Sequence, residues 1–524
     1  MAKTIFGTSS KSNFILNMDL DKYRRFCAKL LLAVFWIVAC SAAVYQLTYQ
    51  VNSRLAEMAG EGGFATVFSA LLIMLRSTAS IFSVGGVLMI IVMIIGMMRL
   101  QFTRQTALPY LLLAASLGWA AISMFHAFDM DCALFGQDGR DEGWVTLMMY
   151  AAFFFVGSML RRRENLCILL RGLLIFGIAQ NLWALLQMQP FFNFPNNYAF
   201  IEPMSYQNMR LPSGLTDSPV TFAMLLAMLL ALAIPAAICA EKRSTRVLAA
   251  VCAVLSMLSA LKTQTIAGII ACIGGLLIAA GFGIARRKSA GRRAAVILAL
   301  VLAAAVCAGI WVYFTPSVNG AYRNSDGSAL ENGFVLCDGG IIWDDANYRL
   351  STSGPYSRDD AAEHGFNVYD AGASLRYCWS EGIRVIRLYP VLGTGPDNFS
   401  FSQLRRSMML QANLNSVDRP YNDLLFIGAT RGVLSMLLHI ALLAVCAVLA
   451  LKNRRAGYGW LLPAFGCAAA LYTVTSNVGI SVLTAAPVFW CILGVLAGEP
   501  LREAVKQEKV RSPKPKRARH QAKA

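Results

Sequence analysis

The run PVTFAMLLAMLLALAIPAAICA, from Pro219 to Ala240, carries no charged side chain. A helix rising about 1.5 Å per residue over this length crosses the roughly 30 Å hydrocarbon core of a bilayer. Outward from it, comparable apolar runs occupy residues 26–48, 79–98, 107–127, 144–160, 166–188, 246–261, 265–285, 294–314, 423–451, 459–478 and 480–497. The fold class expected is therefore an all-α polytopic membrane protein with about 12 transmembrane helices. The segment from Phe64 to Leu75 is apolar but too short to span, and it reads as an interfacial or re-entrant piece.

Composition agrees, because hydrophobic residues make up 57% of the chain and charged residues 15%. The net charge of +18 does not indicate nucleic acid. Its basic residues fall in short clusters between the apolar runs and in the tail, where they act as topology signals and contacts to anionic membrane lipids. Lys22-Tyr23-Arg24-Arg25, Arg99 with Arg104, Arg161-Arg162-Arg163, Lys242-Arg243, Arg286-Arg287-Lys288 with Arg292-Arg293, and Lys452 with Arg454-Arg455 all fall on one side of this arrangement. By the positive-inside rule that side is the cytoplasm, which gives a multi-pass cell-membrane protein with both termini cytoplasmic.

The organisation that follows is a cytoplasmic segment 1–25, nine spans within 26–315, a large extracytoplasmic loop 316–422 between the ninth and tenth spans, three spans within 423–498, and a basic cytoplasmic tail 499–524. A connection of this length between two spans argues for a folded functional element. Within it, Ala373 to Leu388 has helical periodicity, with Leu375, Trp379 and Ile386 on one face and Arg376, Arg384 and Arg387 beside it. Tyr389-Pro390 ends that helix. The thirteen cysteines show no metal-ligand spacing. Cys132, Cys337 and Cys378 lie in polar loops, and pairing of Cys337 with Cys378 is left open.

Candidate chemistry concentrates on the outer side. Arg210, the stripe Arg376, Arg384 and Arg387, Arg419 and Lys262 offer cations, and guanidinium forks suit a pyrophosphate because they bind it bidentately and never deprotonate. Asp418 and Asp423 are carboxylates able to accept a hydroxyl proton, Asn422 an amide able to orient it, and Tyr421 a donor to an oxyanion. Asp397 is read as a turn residue of Gly395-Pro396-Asp397-Asn398, and His439, inside a span, as a helix-to-helix hydrogen bond. No Asp-x-Asp pair, phosphate-binding glycine loop, Ser-His-Asp arrangement or zinc motif is present in the polar segments, so no cofactor is expected.

Five patches from Arg210 to Gly498 carry a resemblance: Arg210-Leu211-Pro212-Ser213-Gly214-Leu215-Thr216-Asp217-Ser218-Pro219, Leu261-Lys262-Thr263-Gln264-Thr265, Arg376 with Trp379 and Pro390 to Phe399, Val417 to Asp423 with Gly428 and Gly432, and Ser476-Asn477 to Trp490 with Gly494. The chain resembles the O-antigen ligase and O-antigen polymerase family of membrane-embedded glycosyltransferases, and looks most like its Gram-positive members. The resemblance implies a donor glycan on polyprenyl (undecaprenyl) pyrophosphate, an acceptor glycan or carrier, and transfer without a metal. It places Arg210 and Arg376 on the phosphates and retains Asn422 as the amide of the family's His-Asn pair. Two positions depart: Tyr421 stands where the family has its histidine, and Thr265-Ile266 where it has Ser-Arg. With a pKa near 10 a tyrosine is a poor base at neutral pH, which leaves Asp418 or Asp423 for that role. Other readings are a lipid-glycan transporter or flippase, and a catalytically inactive scaffold that binds lipid-linked glycan.

Overall fold

The computed structural model describes residues 18–48, 63–99, 103–137, 141–188, 212–216, 218–263, 265–286, 290–319, 333–337, 340–344, 371–402, 419–453, 458–479 and 481–499. In chain order the helices are α1 Leu20–Thr48, α2 Gly63–Arg76, α3 Thr78–Met98, α4 Arg104–Met124, α5 Met130–Phe135, α6 Trp144–Ser158, α7 Arg163–Gln187, α8 Pro219–Cys239, α9 Arg243–Lys262, α10 Ile266–Ala285 and α11 Ala290–Asn319. After an antiparallel hairpin of β1 Gly333–Cys337 and β2 Gly340–Asp344 come α12 Ala371–Leu388, α13 Asp423–Asn453, α14 Leu461–Ser476 and α15 Ala486–Ala497.

Eight of these helices are long and apolar enough to cross a membrane, and shorter apolar helices occupy 144–158, 294–309, 461–476 and 486–497. Every expected apolar run therefore falls on a helix, and the chain is a helical, polytopic membrane protein. The hairpin was not anticipated from sequence. The amphipathic helix was, and α12 lies where its periodicity put it. The run expected as a helix over 480–497 becomes helical only at Ala486, because Pro487 occupies the first turn and the preceding chain turns back on itself.

α8 is the central helix. Its side chains from Phe222 to Ala233 are buried on all sides, packed among α9, α10 and α14. A helix apolar all round has no solvent face to offer and so takes the middle of the bundle. Its start is fixed by Ser218, whose hydroxyl accepts from the Thr221 amide at 3.2 Å, with Pro219 in the first turn. α6 and α15 touch backbone to backbone: a Cβ on Gly494 would lie 1.9 Å from the Phe154 carbonyl oxygen, and one on Gly157 2.2 Å from that of Cys491. Small residues permit this approach where no water drives helices together.

The basic clusters meet at one end of the bundle. Arg25 pairs with Glu164 at 3.2 Å, Arg163 with Glu241 at 2.7 Å, and Arg161 donates to the Glu499 carbonyl at 2.7 Å. Arg162 reaches Asp21 there as well. Exposed pairs of this kind add little stability each, but they put these separated segments on one side. Asn453, at the far end of α13, reaches Gly498 at the same end. The start of α13 and the start of α6 therefore lie at the opposite end.

Candidate active site

At that opposite end, α13 is broken. Gly432 has φ +81° and ψ 165° within the helix, so the ladder of carbonyls and amides is interrupted there. The turn after α12 fills the break. Thr394 N donates to Ala429 O at 3.0 Å, Gly395 N to Thr430 O at 2.9 Å, and Val433 N to Pro390 O at 2.8 Å. Ser123 of α4 adds its hydroxyl to the Thr430 and Leu392 carbonyls, and Trp119 donates to Val391 O at 3.2 Å. Freed backbone groups inside a membrane protein need such partners. Only glycine fits at 432, since a Cβ would stand 1.9 Å from Val391 O.

The same turn continues into Asp397, whose φ of +53° is unusual for a side-chain-bearing residue. Its carboxylate accepts from the Gln137 amide at 2.8 Å and pairs with Arg419 Nη2 at 3.0 Å. Arg419 Nη1 pairs with Glu142 at 3.0 Å and donates to the Ser481 carbonyl at 2.8 Å, and its guanidinium stacks 4.7 Å from the Phe426 ring centre. All three charged side chains are at least 95% buried. Glu142 also accepts from the Tyr150 hydroxyl at 2.8 Å. Burial, reinforced by the Asp397 carboxylate and only partly offset by Arg419, pushes the Glu142 carboxyl up to about 7.

A cavity of about 50 Å³ opens beside this cluster. Its walls carry Asp423, Arg431 and His439 from α13, Glu142, Asp397 and Ser481 from the loops, and Leu113, Leu117, Phe489 and Trp490 on the apolar side. His439 is buried with its ring edge-on to Trp490 at 5.8 Å. Among the described residues no group of three or more His, Cys, Asp or Glu side chains is arranged to hold a metal ion.

The residues singled out from sequence fall as follows. Asp423, the first residue of α13, lines the cavity. Arg419 is beside it, with its forks occupied by protein carboxylates and a carbonyl. Asn422 uses its side-chain oxygen to cap α13, accepting from the Leu425 amide at 3.0 Å. Tyr421 is buried with φ +48°, and its carbonyl accepts from Trp379 Nε1 at 3.3 Å. Arg384 pairs with Glu381 at 2.8 Å, Arg387 is exposed in the last turn of α12, and Lys262 ends α9; none of these three lines the cavity. Arg376 belongs to α12, while Arg210 and Asp418 lie outside the described residues. Cys378 is a buried free thiol.

Sequence reasoning missed Glu142, Tyr150 and Arg431. Glu142 lies in an acidic loop, with nothing local to mark its partner 277 residues away. Arg431 did leave a signal: an arginine inside an apolar run is a functional-site hypothesis by default.

Residues 251–440 match the family model for O-antigen ligase. The match runs from α9 to α13, takes in the filled helix break and Asp423, and supports the O-antigen ligase and polymerase family. No curated protein matches the chain. Ligase-type transfer of a glycan onto an acceptor, in a membrane, is what that family implies.

Proposed function

We propose, on the premise of the O-antigen ligase and polymerase family, that this chain transfers or polymerises a polyprenyl-pyrophosphate-linked glycan onto an acceptor at the outer membrane face, for cell-surface polysaccharide. The observation that carries the reading is a cavity at the end of the bundle remote from the basic clusters, with the Asp423 carboxylate in its wall. The acceptor oxygen attacks the anomeric carbon, the bond from that carbon to the pyrophosphate oxygen breaks, and the pyrophosphate leaves with the electron pair. Asp423 takes the acceptor proton. Cations neutralise the charge growing on the leaving group, an electrostatic contribution that often dominates catalysis.

Arg210 and Arg376 are assigned to the donor phosphates, as the resemblance has them, and Asp418 is a further outer carboxylate. Arg384, Arg387 and Lys262 contribute positive charge to the outer side around the donor. Arg419 and Asn422 act by positioning, the first tying three loops together and the second capping the helix that bears Asp423. Tyr421 occupies the family's histidine position without its basicity.

The test uses a strain lacking the chain, complemented with wild type, Asp423→Asn, Arg210→Ala or Arg376→Ala. Lipid-linked glycan accumulating on the outer leaflet, with surface polymer lost and not restored by Asp423→Asn, is the expected result. Accumulation on the inner leaflet instead favours a transporter. Full rescue by every variant leaves the scaffold reading, as does a large gain of polymer in Tyr421→His.

A further inference from the structure

Three features of Arg431 set it apart from the other arginines of this chain. It lies inside a membrane-spanning helix, immediately before the break at Gly432, and it lines the cavity. Among the described residues its guanidinium makes no hydrogen bond and no ion pair; the carboxylates of Asp423, Glu142 and Asp397 act on it only through space. The neighbouring Arg419, by contrast, has both terminal nitrogens engaged by Glu142, Asp397 and Ser481. A guanidinium is costly within a bilayer and is kept there only where it faces a partner or a hydrated path.

The order of groups along α13 supplies the second observation. Asp423 and Arg431 are two helical turns apart on one face, about 12 Å along the axis at roughly 1.5 Å per residue. Ile427 lies between them, and Ser435 and His439 continue the same four-residue spacing deeper into the bundle. Ser435 is fully buried, and its hydroxyl has no hydrogen-bond partner among the described residues. In order along α13 from its start, the cavity lining thus presents a carboxylate, a guanidinium and then His439 beside Trp490. A lipid-linked glycan held in the outer leaflet has the matching order: sugar outermost, diphosphate next, hydrocarbon deepest. The positive end of the half-helix that begins at Val433 lies at the same level as Arg431.

We propose that Arg431 holds the diphosphate of the lipid-linked donor, two helical turns along α13 from the point where Asp423 meets the acceptor hydroxyl. This rests on the function proposed above and adds a residue to it. Backbone hydrogen bonds from the Pro390–Gly395 turn hold the helix break in place, so the guanidinium is presented from a fixed frame rather than from a mobile loop. As the bond from the anomeric carbon to the diphosphate oxygen breaks, the negative charge develops on oxygens that a planar fork binds in two places.

The full chain in detergent is titrated with undecaprenyl pyrophosphate, with undecaprenol and inorganic pyrophosphate as separate probes. Arg431→Gln is expected to weaken undecaprenyl pyrophosphate by about tenfold or more, with Arg431→Lys intermediate and undecaprenol unaffected in either variant. The Arg431→Lys variant retains charge without the fork, and wild-type-like thermal unfolding of either variant establishes that the site is assembled. Equal affinity of wild type and Arg431→Gln for undecaprenyl pyrophosphate overturns the assignment of Arg431 while leaving the donor class intact. Failure of wild type to bind undecaprenyl pyrophosphate more tightly than undecaprenol overturns the donor class itself. Inorganic pyrophosphate binding as tightly as the lipid overturns the lipid part of the match.

Discussion

Arg419 Nη2 lies 3.0 Å from Asp397 Oδ1, both side chains buried, and this pair joins the turn that fills the helix break to the strand of chain entering α13. With Glu142 on the other fork, one guanidinium binds two carboxylates from distant parts of the sequence.

Removing the cation leaves both acids buried without their counter-charge, held by the Gln137 amide and the Tyr150 hydroxyl. Arg419→Ala is expected to destabilise the protein by about 3–5 kcal/mol, read as a lower thermal unfolding midpoint in detergent. Combining Arg419→Met with Glu142→Gln and Asp397→Asn removes the stranded charges and should recover much of that loss. An unchanged midpoint in Arg419→Ala would show that the cluster is not structural.

Glu142 predicts a pH dependence with a definite sign. Its folded pKa, about 7, lies above its ordinary value of 4.5, so the folded state holds a proton that the unfolded state has released. The resulting stability is complete below the ordinary value and is lost as pH rises through about 7. The unfolding midpoint should fall between about pH 5 and pH 8, and Glu142→Gln should flatten that slope. A slope of the opposite sign would place the neighbouring cation in control instead.

Gly432→Ala forces a Cβ onto the Val391 carbonyl at a φ of +81°, and is expected to cost about 2 kcal/mol or more and to abolish transfer. Gly466→Ala, in α14 with open space around its Cβ position, is the control and should be neutral or slightly stabilising. Similar unfolding midpoints for the two variants would mean the break is pliable.

Asn422 and Asp423 are neighbours with separable roles. Asn422→Ala removes the helix cap and should cost about 1 kcal/mol, with Asn422→Ser restoring it. Asp423→Asn should leave the free energy of unfolding within about 1 kcal/mol of wild type while lowering transfer by about a hundredfold or more, measured as surface polymer in the complemented strain. Wild-type transfer in Asp423→Asn would move the proton acceptor elsewhere, with Glu142 the next carboxylate on the cavity.

Hydrophobic run length and helical period are local properties, and they sufficed for the membrane helices, the amphipathic α12 and the sidedness of the basic clusters. The resemblance, not periodicity, marked the patches Pro390 to Phe399 and Val417 to Asp423, and the described residues of both, Asp397 and Arg419 among them, are in contact. Asp397 was read as a turn residue, and it is one, with its carboxylate held by the Gln137 amide; its second role as partner of Arg419 needed three dimensions. So did the start of α15, which local apolarity placed too early and the carbonyl contact of Ser481 with Arg419 helps explain.

What the sequence by itself determined is which segments enter the bilayer and which polar motifs stand at their mouths, because desolvation acts on each stretch of chain separately. Only the tertiary structure decided that Glu142, Asp397 and Arg419 share their charges, that a turn fills the break at Gly432, and that Asp423 and Arg431 face one cavity. Those are pairings across space, and their energies depend on distances that no local pattern records.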